Sequence, residues 1–163
     1  MKASIFAAAL ASLLVAGAAH AAGAVQISFV KPENFADVRD RAYSGEQNLK
    51  ALEEVFISVA QPYVADGQTL KIEVLDVDLA GEVRLGARAY DVRVLRGRAD
   101  WPRITFRWSV ETAGASPRSG EAVVQDMAYL QRMPSAQYNS PLVYERRMLD
   151  EWFRQQYGKA AAG

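Results

Sequence analysis

Hydrophobic periodicity constrains the fold of this chain more than any other feature. It runs at two residues, then near 3.6, then at two again, and closes near 3.6. Val25, Ile27 and Phe29 alternate with Gln26 and Ser28, which predicts a strand over 25–30. Residues 31–45, with Pro32, Asn34 and Gly45, read as a loop. Leu49, Leu52, Phe56, Val59 and Tyr63 then share one helical face, with Lys50, Glu53, Glu54 and Gln61 largely on the other. Ser44 and Gln47 have capping-box spacing before this helix, and Pro62 predicts a stop near Ala60 or a kinked last turn.

Residues 70–79 read as a strand whose apolar set changes sides, from Leu70, Ile72 and Val74 to Leu75, Val77 and Leu79. A bulge near Val74–Leu75, or cover on both faces, would explain the change. Residues 90–95 fit a short strand. Ile104, Phe106, Trp108 and Val110 alternate with Thr105, Arg107, Ser109 and Glu111, the clearest half-buried strand. Residues 114–120 read as a hairpin loop and 121–127 as the returning strand. Ser140-Pro141 predicts an N-cap followed by proline in the first turn. Tyr144, Met148, Leu149, Trp152 and Phe153 form the stripe of a helix ended by Gly158, with Arg146–Asp150 and Arg147–Glu151 as i,i+4 pairs on its wet side. Residues 159–163 read as a frayed tail. The order predicts an α+β fold: an antiparallel sheet of four or five strands with two main helices packed on one face. No repeat or linker divides residues 22–163, which are expected to form one domain.

The first 21 residues are expected to be removed. Lys2, the apolar run 5–16 and Ala19-His20-Ala21 have the order of a secretory signal peptide. His20 is the single histidine, and the chain has no cysteine. After cleavage, catalysis by imidazole or thiol and zinc sites built on His or Cys are excluded. No disulfide staples the fold, and Ala22 stands where a lipoprotein would carry its lipid-bearing cysteine. No later apolar run is long enough to span a bilayer. Acidic and basic residues balance at 19 each, which argues against nucleic acid as a partner. A periplasmic location with no metal and no cofactor is expected.

Two groups of residues could carry chemistry. Asp76 and Asp78, at i and i+2, point to one side of an extended strand, and with Asp126 they are the candidate catalytic acids. Asp76, Asp78 and Gly81 also mimic the start of a calcium loop, but Ala80 and Ala87 break the pattern. The plainer alternative makes Asp78 a turn former and Asp76 a solvated or salt-bridged group. Seven arginines lie between Arg84 and Arg107 against Asp91 and Asp100, with Tyr90 and Trp101 interleaved. Among them Arg93, Arg96 and Arg98 are candidates for binding an anion or a partner; the plainer alternative pairs these arginines with the chain's own acids.

Leu75 to Glu82, the Pro102-Arg103 step, Gly120-Glu121 through Asp126, and Tyr144 through Phe153 resemble an uncharacterised proteobacterial exported family, domain of unknown function 3016. The resemblance spans nearly all of the chain after residue 21. It implies an envelope location and a single domain, and it assigns no activity and no functional residue. The leading expectation is therefore a non-enzymatic periplasmic binding or accessory module, whose partner is an anionic envelope ligand or an envelope protein. The alternative is a carboxylate-dependent hydrolase acting on an envelope glycan through Asp76, Asp78 and Asp126. The exported protein should begin at Ala22. Intact-mass measurement of the periplasmic fraction checks this, and an uncleaved cytoplasmic product would contradict it.

Overall fold

Alternation at 24–29 yields β1 (Ala24–Phe29), and the helical stripe that follows yields α1 (Gly45–Ala60). The protein is seen in a computed structural model that describes residues 22–38, 45–85, 91–131 and 142–158. The signal-peptide segment, Ser44, Arg88, Tyr90, Ser140-Pro141 and the tail lie outside the described residues. Helix α1 ends at Ala60, and Pro62 sits in a 3-10 turn over Gln61–Tyr63, where its missing N–H costs nothing. The chain continues through β2 (Gln68–Asp78), β3 (Glu82–Leu85), β4 (Asp91–Val94), β5 (Arg103–Thr112), β6 (Arg118–Gln125) and α2 (Val143–Tyr157).

Four strands form one sheet in the order β1-β2-β5-β6, and β3 pairs with β4 in a separate two-stranded sheet. The main sheet is mixed, not antiparallel, because β1 and β2 run parallel. Parallel neighbours need a crossover connection, and α1 with its 16 residues supplies one. The alternation of Val25, Ile27 and Phe29 reads the same whichever way a neighbour runs, so periodicity carried no direction. The hairpin loop is shorter than expected, since β6 begins at Arg118. Helix α2 begins at Val143 with Leu142 at its flank, later than a start at Pro141.

The change of sides in β2 is a bulge. Val74 pairs with Phe106, and the next pair is Asp76 with Thr105, so Leu75 is the extra residue. Leu70, Ile72, Val74 and Val77 are all buried, on both sides of the defect. Without the extra residue, Asp76 and Asp78 would take the parity of Val74 and enter the core. The bulge turns both onto the other face and returns Val77 inward.

Phe106 of β5 is fully buried at the centre of the core. It meets Phe56 of α1 edge-on at 5.5 Å and Trp152 of α2 edge-on at 5.0 Å. Trp108 stands edge-on to Tyr157 at 6.1 Å. Both tryptophans are half-buried and packed against the core rather than sealed inside it. Phe106→Ala should therefore cost about 3–5 kcal/mol, and Trp108→Ala and Trp152→Ala less, in urea unfolding. Equal stability of Phe106→Ala and wild type would remove Phe106 from the centre of the core.

Candidate functional site

The acids of β2 lead to the site. Past the bulge, the segment around Asp37 lies beside β2: Asp37 N–H donates to Val77 O at 2.9 Å, and Leu79 N–H donates to Asp37 O at 3.1 Å. This puts the Asp37 carboxylate next to the turn from β2 into β3. Gly81 makes that turn at φ +84°, and a Cβ there would stand 2.8 Å from Val94 O. Arg93 of β4 reaches in. Its Nη1 and Nη2 clamp Asp37 at 2.9 and 3.2 Å, and Nη1 also lies 3.2 Å from Ala80 O and 3.0 Å from Gly81 O. From the opposite side Glu145 of α2 accepts Ala80 N–H at 2.7 Å. Glu145 is 2% exposed, and burial pushes its carboxyl above the usual range, against the Ala80 bond and the Arg93 charge. A cavity of about 150 Å³ opens beside them, lined by Leu79, Ala80, Arg93, Leu95, Tyr144 and Glu145. That is too small for most organic ligands, whose pockets begin near ~300 Å³.

Asp76 and Asp78 share the outer face with Thr105 and Arg103, as their spacing predicts. Asp76 accepts Ala36 N–H at 2.9 Å and lies 3.7 Å from Arg103. Asp78 is held above the usual aspartate range by partial burial, offset by Arg103 and reinforced by Asp37 and Asp76. Asp126 belongs to a different cluster. It pairs with Arg147 at 2.7 Å, with both side chains largely buried, and accepts Ala128 N–H at 3.0 Å. Arg147 also donates to Tyr129 O at 2.7 Å. So Arg147 is turned inward rather than lying on the wet side of α2. Among the described residues, no group of three or more His, Cys, Asp or Glu could hold a metal ion.

The arginine excess between 84 and 107 is local to the sequence. Arg84 faces Glu82, Arg93 faces Asp37, Arg103 faces Asp76 and Arg107 faces Glu73. Three of those four acids come from elements before the stretch. Arg93, Arg96 and Arg98 have different roles. Arg93 holds the turn, whereas Arg96 and Arg98 lend their backbone N–H groups to Asp100 at 2.6 and 2.7 Å and keep their side chains exposed. Asp100 also accepts the Tyr129 hydroxyl at 2.9 Å. Burial raises the Asp100 carboxyl, but these three hydrogen bonds, with one from its own backbone N–H, outweigh it and hold the group below the usual range.

Sequence reasoning missed Glu145, Asp37, Asp100 and Tyr129. Glu145 alone left a signal: it stands one turn before Met148 and Leu149, on the apolar stripe itself. A second hollow, of about 420 Å³, lies between α2 and the edge strand β6, lined in part by Val123, Gln125, Met127, Met148, Trp152 and Gln155. Val123 and Met127 there are 60% and 57% exposed.

Arg93→Met should cost about 3 kcal/mol, because it strands the Asp37 carboxylate and removes the donor from the turn carbonyls. Arg96→Gln with Arg98→Gln should change stability by no more than about 0.5 kcal/mol. Urea melts of the two variants check the contrast; equal stabilities would place Arg93 on the surface with the others.

Among solved structures, the chain is similar to a minor lipoprotein from Acinetobacter baumannii, with 12% identity and a TM-score of 0.29 over 85% of this chain and 92% of that one. No curated protein matches it. Among the described residues no helix is long and apolar enough to cross a membrane. The model of the family described as protein of unknown function (DUF3016) matches residues 23–155, from just before β1 to near the end of α2, and the chain belongs to that family.

Proposed function

We propose that this protein is an exported, non-enzymatic accessory module of the cell envelope that receives an extended segment of an envelope protein along β6. The observation that carries this reading is the edge of the sheet at β6, open among the described residues. Among the described residues strand β6 is a terminal strand, its register with β5 is regular, and beyond the charges of Arg118 and Glu121 it contains no lysine, proline or bulge of the kind that protects edges. An added strand would bond to its outer backbone groups. The neighbouring hollow, with Met148 and Trp152 inside and Gln125 and Gln155 at its rim, suits an apolar side chain flanked by polar backbone.

Export is supported by the leader-like pattern of residues 1–21. We take residues 22–163 as one domain with both helices on one face, since Phe106 touches Phe56 of α1 and Trp152 of α2. A non-enzymatic role is favoured over glycan hydrolysis because Asp76 and Asp126 are each engaged by an arginine and a backbone N–H. A second reading, an anionic envelope ligand, rests on Arg96 and Arg98, whose exposed side chains extend from the turn held by Asp100.

A photo-crosslinking residue at Val123 should join this protein to one identified envelope protein in cells, and the same residue at Lys50 should not. A peptide from the labelled region of that partner should then slow hydrogen exchange in β6. A crosslink between two copies of this chain, or equal labelling from both positions, would overturn the reading.

A further inference from the structure

We infer that Glu145 is a proton-operated clasp: as the neutral acid it holds the first turn of α2 against Ala80, and as the carboxylate it lets that turn go. The argument begins with what surrounds it. Glu145 is 2% exposed, and its Oε1 lies 2.7 Å from Ala80 N. The start of α2 has no side-chain cap, so Glu145 is a tie between this turn and the β2–β3 junction. The charged groups facing it are Arg93 from β4 and Asp37 from the segment beside β2, with Asp78 at the end of β2 completing the cluster and Tyr144 on its own helix lining the cavity. Arg93 and Asp37 already form a bidentate pair. Ionised Glu145 would therefore add a negative charge that Arg93, already engaged by Asp37, compensates only in part at a buried position.

The ionised form is favoured by the bond from Ala80 N–H, by the Arg93 charge and by the position in the first turn of α2, where the helix dipole attracts negative charge. Burial outweighs them and pushes the carboxyl up. The cavity of about 150 Å³ against the carboxyl has room for the water that an ionised group would recruit. The sign follows from the direction of the shift. The clasp is fully closed below the ordinary glutamate range, and its contribution is lost as pH rises through the raised value of the folded state. The rest of α2 stays docked, because Arg147 holds Asp126 and the Tyr129 carbonyl independently.

The test uses the whole exported chain. The carboxyl carbon of Glu145 is titrated by NMR, and exchange of the Ala80 amide is followed over the same pH range with intrinsic rates divided out. Glu145 should titrate above the ordinary glutamate range. Protection of the Ala80 amide should fall by up to about tenfold for each pH unit between the ordinary glutamate range and that midpoint and level off above it, and in Glu145→Gln, which keeps an acceptor without a charge, it should be flat. An ordinary glutamate midpoint would overturn the inference, and so would Ala80 protection that is independent of pH in the wild type. Should the glutamine variant not fold, the wild type decides alone: a loss of Ala80 protection that levels off at the Glu145 midpoint supports the clasp, and one that levels off elsewhere rejects it.

Discussion

One guanidinium joins segments that share no secondary structure. Arg93, on the short strand β4, binds the Asp37 carboxylate and the carbonyls at the β2–β3 turn. The main sheet does not include β3 and β4. They are positioned by this side chain, by Gly81 N–H donating to Asp100 O at 2.8 Å, and by packing around the turn. Arginine suits the role because its planar donor fork can satisfy a carboxylate and backbone carbonyls at once, which a lysine ammonium cannot do with the same geometry. Residues separated by 56 positions become neighbours this way.

The bulge at Leu75 decides which residues this cluster contains. Apolar positions 70, 72 and 74 bind β2 to the core, and Val77 rejoins it after the extra residue. Asp76 and Asp78 are freed to meet Ala36, Arg103 and the Asp37 segment. This much was legible in the sequence, because a switch in apolar parity has few causes. Strand β5, helix α1 with its stop before Pro62, and the stripe of α2 were legible for the same reason: period reports burial directly. The direction of β1 was not, since parallel and antiparallel strands share one period. Strand β3 was hidden because Val83 and Leu85 give only two apolar positions from which to count.

The candidate site was legible in its residues but not in their roles. A count along the chain finds arginines in excess between 84 and 107. Folding brings Asp37, Glu73 and Asp76 to them from outside that stretch, so charge segregated in sequence is mixed in space. Asp37 and Asp100 lie in irregular segments, where no periodicity distinguishes a buried carboxylate from a solvated one. Glu145 broke the pattern of its helix, and a charged residue on an apolar stripe is the kind of local conflict that marks a special site.

A chain without cysteine must fasten its irregular segments by other means. Here four described segments are tied by a charged side chain bonded to backbone. Asp76 takes Ala36 N–H, Asp100 takes the N–H groups of Arg96 and Arg98, Arg147 takes the Tyr129 carbonyl, and Glu145 takes Ala80 N–H. A disulfide is indifferent to moderate changes in pH, and the ties made by Asp100 and Glu145 are not. Asp100 is held below the usual carboxylate range, so its contribution is complete at neutral pH and is lost as pH falls through the lowered value. Glu145 is held above its usual range, so its contribution is lost in the opposite direction. The two ties respond to pH in opposite directions, and they act on neighbouring segments, since Gly81 N–H joins the Ala80 turn to Asp100 O. Falling pH therefore weakens the Asp100 tie and rising pH the Glu145 tie.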